Sequence, residues 1–212
     1  LIGSRNLLEA LALYAPEVKS ILLASSANIY GNRSEGSISE GAFPDPANDY
    51  AVSKYSMELM GKLWSNTLPI TFTRPFNYTG TGQSSNFLIP KIIDHFKAKK
   101  SIIELGNIDV WREFNDVRFI ADSYVKLIEQ TSLSSGQAVN ICTGKAYSLR
   151  EVIALCEEIS NHTIELHVNP QFVRKNEVRV LKGCNKLLEQ SIGSSTGYEL
   201  KQTLKWMLGI EK

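Results

Sequence analysis

Tyr50 and Lys54 lie four residues apart at the start of a helical stretch, so their side chains share one helical face. An ammonium beside a phenol favours the phenolate and draws a group whose free pKa is about 10 toward neutral pH. Earlier in the chain, Ser25-Ser26-Ala27-Asn28-Ile29-Tyr30-Gly31 follows an apolar run. A serine hydroxyl at the carboxyl end of a strand can hydrogen-bond the same substrate oxygen as the phenol. Together these groups make a proton-transfer site. Taken alone, a Tyr and a Lys at this spacing are more often a solvated helix face. The serine-rich strand end, the long loop that follows it and the order of the parts reverse that balance.

The elements that must hold these groups alternate. A helix to about Tyr14 leads into residues 20–25, a continuous apolar run of the kind buried on both faces in a parallel sheet. A polar loop containing Gly and Pro follows and ends near Asp49; loops of that length are more often functional than idle. Residues 50–65 have helical spacing with Asp49 as N-cap, and residues 69–74 read as a β-branched and aromatic strand stopped by Pro75. Residues 86–100 read as a helix with Pro90 in its first turn, residues 102–105 as a strand, and Gly106-Asn107 as a turn. Val117, Ile120, Ala121, Tyr124, Leu127 and Ile128 mark an amphipathic helix capped by Asp116. Residues 138–142 are strand-like, and Ser148 with Glu151 forms a capping box for a helix to about Ile159. A strand at 164–168 and helices near 185–190 and 198–208 complete the pattern. Such alternation predicts an α/β fold with a mostly parallel, doubly wound sheet.

Composition narrows the partners. The chain has 212 residues, 23 Lys and Arg against 22 Asp and Glu, and a formal net charge of +1. That leaves no basic field for nucleic acid, and no apolar run approaches the ~20 residues that span a bilayer. Three widely spaced cysteines, Cys142, Cys156 and Cys184, fit reduced thiols in the cytoplasm. His95, His162 and His167 have no metal-ligand spacing, and the sequons at Asn32, Asn77 and Asn161 are read as chance matches. The sequence starts at Leu1, and Leu7, Leu8, Leu11 and Ala15 already fall at helical spacing with no cap or strand before them. It reads as lacking its true beginning, and that start has no signal-peptide pattern.

With these motifs the chain resembles the extended short-chain dehydrogenases/reductases, in the branch of nucleotide-sugar epimerases, dehydratases and reductases. The resemblance implies a Rossmann-like fold, N-terminally incomplete, with residues 1–80 as the remainder of the catalytic domain. Residues 81–212 would form mainly a smaller substrate-binding α/β region, with segments around 113–145 returning to the Rossmann-like domain. It implies Ser26 as the substrate-orienting hydroxyl, Tyr50 as the acid or base, and Lys54 as the group that tunes Tyr50 and bonds the nicotinamide ribose of NADP or NAD. The segment from Arg74-Pro75-Phe76-Asn77 to Gln83 and the segment from Gly106 to Arg118 resemble reductases of GDP-4-keto-6-deoxy-D-mannose. Asn77 is assigned to cofactor and substrate. Arg112 is assigned to the diphosphate of a GDP-linked sugar, since a planar fork suits a diphosphate better than a point charge does. Arg174 and Glu177 are assigned to nucleotide contacts; Lys175 stands where the family usually has Pro. The family pairs subunits through two helices of each, so a homodimer is expected, with residues 50–65 and the helix nearer the start as candidates.

Within the branch, dehydratases carry a carboxylate two residues before the Tyr of the first motif, where this chain has Asn28. An amide cannot exchange that proton near neutral pH. The expected activity is therefore NAD(P)-dependent reduction of a 4-keto-6-deoxy nucleotide sugar. A 4-epimerase using the same three residues, or an inactive truncated binding or assembly module, are the alternatives. Gly80-Thr81-Gly82-Gln83-Ser84-Ser85 nearly matches a dinucleotide loop, with Glu104 22 residues past Gly82. Its first glycine comes six residues after the strand end and its third is Ser85, so the loop is read as substrate-side. The true glycine loop is expected before Leu1.

Overall fold

The computed structural model describes residues 1–32, 36–130, 133–173, 178–193 and 198–210. In chain order, helix α1 (Ile2–Tyr14) precedes strand β1 (Ile21–Ala24), a 3-10 turn (Ala27–Tyr30), strand β2 (Gly36–Ile38) and helix α2 (Asp49–Lys62). Strands β3 (Ile70–Pro75) and β4 (Tyr78–Thr79) lead to helix α3 (Leu88–Lys97) and strand β5 (Ile102–Leu105). The short strands β6 (Trp111–Arg112) and β7 (Asn115–Asp116) feed helix α4 (Val117–Glu129), strands β8 (Gln137–Ile141) and β9 (Tyr147–Ser148), and helix α5 (Leu149–Ser160). Strands β10 (Glu165–Val168) and β11 (Val180–Gly183) and helices α6 (Lys186–Ile192) and α7 (Leu200–Leu208) follow.

A three-stranded sheet has the order β1-β3-β8, and both pairings are parallel. Side chains alternate along a strand, so each strand supplies both faces. On one face Ile21, Leu23, Ile70 and Phe72 pack with Leu8 of α1 and Met57 of α2. On the other, Val139 and Ile141 pack with Phe119, Ile120 and Leu127 of α4 and Leu188 of α6. Helices thus cover both faces, the doubly wound arrangement expected from the alternating sequence. At roughly 1.5–3 kcal/mol for each large apolar side chain, these two clusters hold the strand ends in place.

A second core lies under α3, α5 and α7. Ile92, Phe96, Ile103, Val152, Cys156 and Leu204 belong to it, and β5 pairs in parallel with β10. A four-stranded sheet of order β2-β11-β6-β9 joins distant parts of the chain, with β9 antiparallel to β6. Strands β4 and β7 pair in parallel and bring residues 77 and 115 together.

Several local expectations change. Asn48, not Asp49, caps α2: its side chain accepts from the Ala51 N–H at 2.9 Å, and Asp49 is the first helical residue. The helix stops at Lys62 and passes into turns through residue 67, and α3 runs over the narrower Leu88–Lys97. Pro75 ends β3 from within, pairing with Ile141, because its missing N–H costs nothing at a strand terminus. The run at 20–25 is not buried on both faces, since Ala24 is exposed and Leu22 half-buried. The reason is position: β1 lies at the edge of its sheet among the described residues. The loop after it also contains a 3-10 turn and β2, where no structure was expected. The caps at Asp116 and Ser148 stand as read, the latter with both bonds of its capping box.

Candidate functional site

Strand β1 delivers the chain to Ser26, which caps the 3-10 turn through a bond from the Asn28 N–H to its Oγ at 3.2 Å. The hydroxyl is used there as an acceptor, which leaves its hydrogen to donate to a substrate oxygen. Gly31 ends the turn at φ +66°, and a Cβ there would run into the Asp45 carbonyl. Only glycine meets both conditions. The Asp45 N–H donates to the Ile29 carbonyl at 2.8 Å, so the following loop pins the turn.

Helix α2 carries the other two groups. Tyr50 is 51% exposed in its first turn, and the Lys54 Nζ lies 5.7 Å from the centroid of the Tyr50 ring. The same ammonium donates to the Ala24 carbonyl at 2.8 Å, two residues before Ser26. Tyr55 packs against the cluster containing Ala27, Ile29 and Tyr30, holding α2 to the turn. The fold thus gathers Ser26, Tyr50 and Lys54 at the carboxyl end of β1, where ligands of open α/β sheets bind.

Asn77 stands between β3 and β4 with an exposed side chain, and its carbonyl accepts from the Asn115 backbone and side-chain amides at 2.9 and 3.1 Å. Arg112 lies on the separate four-stranded sheet, donating through Nη1 to the carbonyls of Trp111 at 2.8 Å and Arg179 at 3.3 Å. Its neighbour Glu113 is wholly buried. One Glu113 oxygen accepts from the Gly183 N–H at 2.5 Å, the other from the Thr143 N–H at 3.0 Å. Burial pushes the Glu113 carboxyl above its ordinary range against the pull of these donors. Arg174 and Glu177 lie outside the described residues.

Sequence reading missed Glu113, and it missed Tyr124 of α4. Burial pushes the Tyr124 phenol up against the opposing pull of the Thr73 hydroxyl. Spacing on α4 marked Tyr124 only as a core position. A cavity of about 340 Å³ lined by Phe114, Cys142, Thr143, Lys145, Tyr147 and Tyr198, among others, contains none of the sequence-predicted residues.

The donor set suits the ribose end of a nicotinamide dinucleotide: an ammonium and a phenol on one accessible helix face beside parallel strand ends. The loop at Gly80 does not suit its diphosphate. A Cβ on Gly80 would meet Val117 Cγ1 at 2.5 Å and Trp206 at 3.1 Å, so this glycine serves close packing, and α3 starts only at Leu88. No helix among the described residues is long and apolar enough to cross a membrane.

The family of GDP-mannose 4,6-dehydratases matches residues 1–207. A GDP-6-deoxy-D-talose 4-dehydrogenase from Aggregatibacter actinomycetemcomitans is 36% identical over 91% of this chain and 65% of its own length. A GDP-6-deoxy-D-mannose reductase from Pseudomonas aeruginosa is 31% identical over 98% of this chain and 70% of its own. The solved structure of RMD from Pseudomonas aeruginosa, complexed with NADPH, superposes with a TM-score of 0.90 at 31% identity, covering 99% of this chain and 71% of that one. The chain therefore spans about two thirds of the length of these relatives.

Proposed function

We propose, from the premise that this chain belongs to the GDP-mannose 4,6-dehydratase family, that it carries the catalytic and substrate-binding part of an NAD(P)H-dependent reductase. Its substrate would be a 4-keto-6-deoxy nucleotide sugar, GDP-linked as in the names of the two relatives. The observation that carries the reading is the convergence of Ser26, Tyr50 and Lys54 at one strand end. NADPH or NADH, when bound, supplies the hydride that reduces the C4 carbonyl carbon. Tyr50 gives its phenolic proton to the carbonyl oxygen as negative charge develops there, and Ser26 donates a hydrogen bond to the same oxygen. Lys54 stabilises the phenolate that results and, through its second role, bonds the ribose of the cofactor. Asn28, an amide at the place of the dehydratase carboxylate, supports reduction over loss of water.

In this reading Arg112, Arg174 and Glu177 hold the nucleotide diphosphate and base, and Asn77 bridges substrate and cofactor. Residues 1–80 form the catalytic part and 81–212 mainly the substrate part, with 113–145 returning to the former. The protein acts in the cytoplasm, a location supported by three free cysteines, and it works as a homodimer. The test is to mix the protein with GDP-4-keto-6-deoxy-mannose and NADPH. One reduced cofactor should be consumed per sugar reduced. Interconversion of two sugars without cofactor loss would replace the reductase reading by an epimerase, and no turnover of any 4-keto nucleotide sugar would sink it.

A further inference from the structure

Arg74, near the end of β3, is 3% exposed, yet its guanidinium reaches three other segments. Nε and Nη2 donate to the two oxygens of Glu58 at 2.9 and 2.6 Å, the bidentate geometry that best matches fork to carboxylate. Nη1 donates to the Tyr30 hydroxyl at 3.0 Å and to the Glu40 carbonyl at 3.2 Å. The Tyr30 hydroxyl passes its own hydrogen to Asn140 Oδ1 at 2.7 Å. Asn140 in turn donates from its side chain to the Ile38 carbonyl at 3.0 Å and from its backbone to the Glu40 carboxylate at 2.9 Å. Tyr30, Glu58 and Asn140 are wholly buried.

The sequence positions of the partners give this network its meaning. Glu58 lies four residues beyond Lys54 and eight beyond Tyr50, on the same face of α2. Tyr30 closes the 3-10 turn that Ser26 opens. One guanidinium is therefore bonded to both elements that carry the proton-transfer groups. The Lys54 bond to Ala24 ties α2 to the strand end just before that turn, and Arg74 joins α2 to the turn itself, one helical turn farther along α2. Burial pushes the Tyr30 phenol up to about 12, so it stays a neutral hydroxyl able to accept and donate. Burial works against the Arg74 charge, and the bonds to Glu58 and Tyr30 outweigh it and keep the guanidinium charged. A buried ion pair of this kind contributes little net stability compared with apolar residues of the same volume. What it does supply is a fixed distance.

We propose that Arg74 is a positioning residue which, through Glu58 and Tyr30, sets the spacing between the Ser26 hydroxyl and the Tyr50 phenol. The proposal rests on the reductase reading for its catalytic consequence. Two variants test it: Tyr30→Phe, which removes one hydroxyl and keeps the ring, and the double variant Glu58→Met/Arg74→Met, which replaces the pair by apolar side chains. The measurements are backbone hydrogen exchange over residues 26–31 and 49–54, and kcat with KM for the 4-keto sugar. Both variants should exchange at least about tenfold faster in those two segments with β3 unchanged, and should lose about tenfold to a hundredfold in kcat at a KM within about twofold. A role in stability alone predicts instead that the double variant, once its Tm matches that of the unmodified protein, recovers its kcat. That recovery, or unchanged exchange in Tyr30→Phe, overturns the proposal. Should the double variant fail to fold, Tyr30→Phe decides by itself. Absence of turnover in the unmodified protein defeats the reductase reading, while the exchange measurement still decides whether Arg74 holds the two segments.

Discussion

The Lys54 ammonium reaches back from α2 to the Ala24 carbonyl at 2.8 Å, one helical turn from Tyr50 and 5.7 Å from the centre of its ring. A lysine held by a fixed acceptor on a strand end cannot swing with the rotamer freedom of a surface side chain. Its charge is thereby aimed at one place.

Loss of the Tyr50 hydroxyl should therefore affect chemistry and not binding. Tyr50→Phe should bind the nucleotide sugar as tightly as the unmodified protein while kcat falls about 10²–10⁴-fold, the usual contribution of general acid catalysis. Lys54→Met should also weaken cofactor binding. Calorimetric titrations beside steady-state rates separate the two effects; a Tyr50→Phe variant with undiminished kcat would remove Tyr50 from the mechanism.

Glu113 gives a stability test with a definite sign. Its folded pKa is raised by burial, so the folded protein keeps a proton that the unfolded chain, with a carboxyl near 4.3, has already lost. Stability should fall as pH rises from about 4.3 to the higher folded value, and level off above it. Glu113→Gln should abolish that fall. It also offers one acceptor where two oxygens now accept backbone N–H groups, which should cost about 1–3 kcal/mol at neutral pH. Denaturant titrations between pH 4 and about 8 read both effects, and an unchanged pH slope in the variant would show that Glu113 is not the group responsible.

The reach of the sequence follows the range of the interactions. Tyr50 and Lys54 are legible because a helix converts a spacing of four into adjacency, and the Ser148 box and Asp116 cap are legible because each closes within three residues. Helix and strand alternation shows the layered architecture for the same reason. The strands of two residues at 111–112, 115–116 and 147–148 carry no periodicity to read, and β2 is held by pairing Gly36 with Leu181, far along the chain. In the sequence Arg74 is only the first residue of a segment that resembles GDP-sugar reductases; the fold alone sets it on Glu58 and Tyr30. Asn48 displaced Asp49 as cap by a single residue, a distinction that composition cannot make, since both types cap well.

Asp116 should set part of the acid limit of stability. Its carboxylate is 1% exposed and accepts from Arg118 Nε and Nη2 at 2.9 and 2.7 Å and from Thr203 Oγ1 at 2.7 Å. Arg118 itself lies 4.0 Å from the ring centres of Tyr198 and Trp206, so the group ties the start of α4 to α7. Burial works to raise the Asp116 carboxyl, and the bonds from Arg118 and Thr203 outweigh it, so the folded pKa is lowered. The stabilisation is present above the unfolded value near 3.9 and is lost as pH falls through the folded one. Asp116→Asn should lose about 1–3 kcal/mol at pH 7 and show a shallower acid transition. Equal acid midpoints and slopes for the two proteins would refute this assignment.

Self-association should run through the helix that carries Tyr50. Val52 and Leu59 on α2, 48% exposed each, and Leu63 at its C-cap, 82% exposed, fall at offsets of seven and eleven and so share one face. Leu13 and Tyr14 of α1, which packs beside α2, are 68% and 85% exposed. An exposed apolar stripe on a helix is what a second copy can cover with the same stripe under twofold symmetry. Leu59→Glu/Leu63→Glu should therefore convert a dimer to a monomer in sedimentation while the fold survives, because neither side chain is in a core. Tyr50 sits on this same helix, so the monomer should also show faster hydrogen exchange in the first turn of α2. A protein that is monomeric before substitution would end the dimer proposal and leave the Tyr50 chemistry untouched.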